Sequence, residues 1–230
     1  YRITKVTGDI TVTILTREAI DTTGYDNTLP TTILLSDDST TITNNNGGVS
    51  ESSGIITITS AGTYEISGTL SEGSIFIAAS DDDDVYLVLD DLSITSEATA
   101  PINVLNADNV EITLSSGMTA SLTDDRPSSL EEDDDTPTAA LYSTCDLTIN
   151  GDGTFNVYGN YDNGITCKDD LVIEGNVTIN VESINNGIKG SDSLTISSGT
   201  VVVTAKGGDG LKTSNSELTD SDKQKGTLTI

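Results

Sequence analysis

Apolar residues along this chain fall in short alternating groups. Leu171 and Ile173, then Val177, Ile179 and Val181, then Ile188 are set among polar neighbours. Period-two alternation puts them on the inner side of three short strands, with Thr178, Asn180 and Lys189 outside. Gly175 and Asn186-Gly187 fall between strands, at corners where positive φ is common. The unit recurs. Asn163-Gly164-Ile165, Asn186-Gly187-Ile188 and Asp209-Gly210-Leu211 follow at steps of 23 residues, as do Asp169, Asp192 and Asn215. A period of this size predicts a solenoid, in which each repeat buries its apolar side only by stacking on the next.

First strands are predicted at Val110-Glu111-Ile112, Leu147-Thr148-Ile149, Leu171-Val172-Ile173, Leu194-Thr195-Ile196 and Leu228-Thr229-Ile230. Upstream the spacing loosens, with one coil over residues 56–77 and the next over 85–104. Insertions fall at residues 124–137 and 217–226. The expected fold is all-β: a parallel β-helix of about six coils of three short strands over residues 51–230. Residues 1–50 fit the repeat poorly and are expected to supply irregular strands and a cap, one structural domain overall.

Composition narrows the partners. Ten Lys and Arg stand against 37 Asp and Glu, a net charge of −27, which excludes nucleic acid and anionic membrane. No His is present and only two Cys, so zinc, haem and Ser-His chemistry lack their residues. No apolar run is long enough to span a membrane. A chain that starts at Tyr1 is expected to have lost a signal peptide, and a secreted or cell-surface monomer is expected.

Stacking adds a chemical demand. Equivalent residues of neighbouring coils stand about 4.8 Å apart, where unit charges repel by about 1 kcal/mol even in bulk water. The register predicts one corner column of Asp83, Asp108, Cys145, Asp169, Asp192 and Asn215, beside a second of Asp84, Asn109, Asp146, Asp170 and Ser193. Calcium, which takes six to eight oxygen ligands, is the expected cofactor. Asp124 and Asp125, with Glu131, Glu132 and Asp133 to Asp135, form a second candidate around the insertion, near Asp162; Asp209 completes the candidate ligands. Solvated turn residues and an acidic flap would read the same way, and no EF-hand spacing is present.

Several stretches resemble a known family. They are Ile58-Thr59-Ser60-Ala61-Gly62-Thr63-Tyr64-Glu65-Ile66-Ser67-Gly68, Asp83-Asp84-Val85-Tyr86-Leu87-Val88-Leu89-Asp90, Asp146-Leu147-Thr148-Ile149-Asn150-Gly151-Asp152-Gly153, and Tyr161-Asp162-Asn163-Gly164-Ile165 with Lys168-Asp169-Asp170-Leu171. In that order, over about residues 30 to 230, they resemble the bacterial, chiefly clostridial, carbohydrate-binding domain family with a pectate-lyase-like right-handed β-helix. The resemblance implies calcium-bearing, non-catalytic binding of plant cell-wall polysaccharide, including cellulose and acidic glycans such as polygalacturonate.

Two outward surfaces are candidates for the polymer. On the third strand the predicted column is Phe76, Asn103, Tyr142, Thr166, Lys189 and Lys212: lysines for an anionic sugar, aromatic faces for its rings. On the second strand, Ser121, Tyr158, Asn180 and Thr204 are expected in one row beside Thr119, Asn156 and Thr178, a hydroxyl and amide ladder suited to a neutral glucan. Ordinary lysine–aspartate pairs and an exposed polar sheet are the plainer readings. A pectate-lyase-like enzyme and an adhesin or spacer are the alternative functions. A lyase needs a cationic base, and Arg126 sits where Asp124 and Asp125 would pair with it. Cys145 and Cys167 are expected as free thiols, because Cys167 stacks over Ser143.

Overall fold

The computed structural model describes residues 26–127, 136–218 and 224–230. Glu131, Glu132, Asp133 to Asp135 and the first 25 residues of the expected cap lie outside this set. The described residues form an all-β, parallel solenoid. From Asn109 onward the strands come in threes: Asn109–Leu114, Thr119–Asp124 and Ala139–Ser143, then Asp146–Gly151, Thr154–Gly159 and Asn163–Cys167. Asp170–Ile173, Thr178–Ser183 and Ile188–Gly190 follow, then Ser193–Ile196, Thr200–Ala205 and Leu211–Lys212. Each pairs in parallel with its equivalent one repeat away, which defines three faces.

Inward residues stack as continuous columns. Val110, Leu147, Leu171 and Leu194 line the first face. Ala120, Phe155, Ile179 and Val201 line the second; Ile102, Leu141, Ile165 and Ile188 line the third. Nearly all are fully buried, so a slip of one residue would turn each strand inside out.

Before Asn109 the first two faces merge. Asp84–Ser96 is a single 13-residue strand that pairs with both faces, turning at Asp91, whose φ is +43°. Thr31–Leu35 extends this sheet in parallel through Gly62–Leu70. Thr41–Thr43 and Val49–Ser52 pair antiparallel and so leave the repeat.

Two glycines show different reasons for the same residue. Gly175 has φ +79° and meets the positive-φ expectation. Gly187 does not: a Cβ there would lie 2.1 Å from Val203 Cγ1, so close packing excludes a side chain. Gly164 stands in the same relation to Val181, at 2.2 Å. Beside them an asparagine ladder closes the corner, with Asn186 Nδ2 donating to Asn163 Oδ1 at 2.7 Å and Asp209 N–H to Asn186 Oδ1 at 3.1 Å.

Candidate functional site

The corner between the third and first faces carries the densest negative charge. Register places Asp84, Asn109, Asp146, Asp170 and Ser193 in one column, with Asp170 N–H donating to Asp146 Oδ1 at 3.1 Å. In the adjoining column Asp108 N–H donates to Asp83 O, and Asp192 N–H to Asp169 O. Among the described residues, Asp146, Asp169 and Asp170 bring carboxylate oxygens within 4.8 Å of one another. Burial pushes the Asp146 carboxyl above its usual value, helped by the charges of Asp170, Asp108 and Asp192. Burial likewise raises Asp169, with Asp146 and Asp192 adding to it. The charged forms therefore crowd one another. An all-oxygen, three-carboxylate group fits a hard divalent cation such as calcium.

Asp192 is relieved differently. Burial pushes its carboxyl up, but hydrogen bonds from Lys225 and Asn215 outweigh that and hold it below its usual value. Lys225 Nζ and Asn215 Nδ2 both contact it directly. Neither Lys225 nor its role follows from the repeat, because the 217–226 insertion interrupts the period there.

The other acidic candidates stand apart from this group. Asp124 is fully buried, and its oxygens accept Arg126 Nε at 2.8 Å and Nη2 at 2.6 Å. Arg126 also lies 4.0 Å over the Tyr161 ring. Asp125 accepts from Asn160, and Asp162 from Asn163 and Asn185. Asp83 accepts from Ser80 N–H, and Asp209 pairs with Lys212 at 3.5 Å.

On the outer side of the third face, Phe76, Asn103, Tyr142, Thr166, Lys189 and Lys212 occupy one column, as the sequence predicts. Burial lowers the Lys189 pKa first, then the charges of Lys168 and Lys212. Lys168 is a member that stacking arguments overlooked: its Nζ lies 5.8 Å from the Tyr142 ring centroid. Its position two residues past Thr166 on the outward side of the same strand was the available signal.

The second-face row needs correction. Tyr158 stacks with Thr123, Glu182 and Thr204, whereas Ser121 stacks with Asn156, Asn180 and Val202. The inward stack of Ala120 on Phe155 and Leu122 on Val157 fixes this register, two residues from the expected one. Asn180 Nδ2 donates to Asn156 Oδ1 at 3.0 Å, so part of that ladder is satisfied internally. Both cysteines are free, with Cys167 opposite Ser143.

Comparisons with known proteins bear on this arrangement. The model of a family described as carbohydrate-binding domain-containing protein matches residues 51–230. The chain belongs to this family. A carbohydrate-binding domain-containing protein from Acetivibrio thermocellus is 38% identical over 134 residues, which cover 57% of this chain and 47% of that relative. The match thus spans about half the relative's length. The solved structure of a polysaccharide lyase-like protein from C. thermocellum, a gadolinium derivative, superposes with a TM-score of 0.77 at 35% identity, covering 88% of this chain and 79% of that one.

Proposed function

We propose that this member of the carbohydrate-binding family is a secreted, monomeric right-handed β-helix of about six coils that binds acidic plant cell-wall polysaccharide without cleaving it. Calcium is held by Asp146, Asp169 and Asp170. The observation that carries this reading is the third-face stripe. Lys168, Lys189 and Lys212 gather beside Tyr142 in a chain with only ten basic residues. Ammonium groups at that spacing suit a carboxylated polymer, and Tyr142 offers a face to a sugar ring.

The non-catalytic part rests on Arg126. It is the one arginine among the described residues; buried, doubly bonded to Asp124 and stacked on Tyr161, it is held protonated and cannot serve as a lyase's base.

Affinity electrophoresis in polygalacturonate, with a parallel cellulose pull-down and chelator arms, tests the reading. Retardation by polygalacturonate is expected, without ultraviolet-absorbing unsaturated products. The Lys189→Ala, Lys212→Ala double variant is expected to lose roughly tenfold or more in affinity, from two charge-assisted contacts. Undiminished binding by that variant would remove the third face from the proposal, and cellulose binding alone would favour the second-face ladder.

A further inference from the structure

The third-face stripe contains two buried polar atoms with no hydrogen-bond partner: Asn103 Oδ1 and Thr166 Oγ1. Asn103 is 4% exposed and Thr166 is fully buried, though both belong to the outward column. Register sets Asn103 between Phe76 and Tyr142, and Thr166 between Tyr142 and Lys189. Leaving a buried acceptor unpaired is unfavourable, and native structures contain few such atoms. Here they are two coils apart in the same column as the lysines.

We infer that Asn103 and Thr166 form the floor of the sugar site, where a ligand's hydroxyls complete the missing hydrogen bonds while Lys189 takes its negative charge. This rests on the third-face reading above and specifies what the ligand must carry. Asn103 Oδ1 can only accept, so the group that meets it must be a donor, such as a sugar hydroxyl. A bare anion cannot supply one; a polyhydroxylated, carboxylated unit supplies both. The Lys189 stem is flexible and half-buried, and exposed side chains change rotamer in picoseconds to nanoseconds. Swinging it toward a carboxylate uncovers Thr166 Oγ1 for the neighbouring hydroxyl. The stripe is then a ligand-completed polar network, incomplete in the free protein.

Stability and binding are expected to move in different directions, which separates this role from a structural one. Thr166→Val keeps the shape and deletes the unpaired hydroxyl, so chemical denaturation should show stability equal to or above that of the unaltered protein. Titration calorimetry with a soluble oligogalacturonate should show affinity reduced about tenfold, and Thr166→Ser should restore it. Asn103→Leu should repeat the pattern. If Thr166→Val binds as tightly as the unaltered protein, or is clearly less stable, the inference is overturned. If the unaltered protein fails to bind the oligogalacturonate, the proposed function fails first. Loss of binding in the lysine double variant, with Thr166→Val unaffected, leaves that function standing and removes only the floor.

Discussion

Two acidic places in this molecule look alike in the sequence and differ in kind. Asp124 opens an insertion, and Asp146, Asp169 and Asp170 crowd a corner of the coil. Asp124 finds a guanidinium two residues on and disappears into the interior with it. The corner carboxylates have no such companion; Lys225 reaches only as far as Asp192. Stacking therefore dictates where charge accumulates, but local chain geometry decides whether the protein neutralises it or leaves that to a dissolved ion.

Breaking the first place should have the larger effect. Asp124→Ala strands a buried guanidinium, a change that costs about 3–5 kcal/mol. Urea denaturation should show that loss with or without added calcium. A rescue by calcium would mean the two places are not different after all.

The second place should respond to the ion itself. A site saturated at one hundred times its dissociation constant stabilises the fold by about 2.7 kcal/mol. The expected sign is a calcium-dependent rise in melting temperature that chelator reverses. Asp169→Asn with Asp170→Asn should abolish the rise. Melting curves unchanged by calcium in the unaltered protein would contradict the proposed metal group.

The smallest effect is in pH. The raised Asp146 and Asp169 groups hold protons more tightly in the folded state than in the unfolded chain. Their contribution is full below the usual carboxylate pKa and is lost as pH rises through the raised values. Asp192 runs oppositely, its contribution being lost as pH falls through its lowered value. Without calcium, Asp146→Asn with Asp169→Asn should melt above the unaltered protein near neutral pH, the difference closing toward about pH 4. A difference that stays constant with pH would show the crowding to be unimportant.

Much of this was readable from residue order. The Leu-x-Ile and Asn-Gly-Ile patterns fix strands, faces and columns because a period-two strand has only two ways to lie and one buries the core. The acidic corner and the Phe76-to-Lys212 column followed from the same rule. The second-face row was misplaced by two residues, since a shift of two keeps every side chain on its own side and alternation alone cannot detect it. Asp124 was read as a cation ligand because its fate depends on how residues 124–126 turn, which no repeat governs. Lys225 lay hidden within an insertion for the same reason, and Thr166 carried no signal in sequence beyond being polar.

The merged strand Asp84–Ser96 has a mechanical meaning. Elsewhere each coil grips only the coil above and below, so tension on a bound polymer can peel such a stack one layer at a time. A single segment that belongs to two walls must release both ladders together, because its 13 residues pair on either side of the Asp91 turn. Under load the molecule has a clamp near one end and a zipper toward the other.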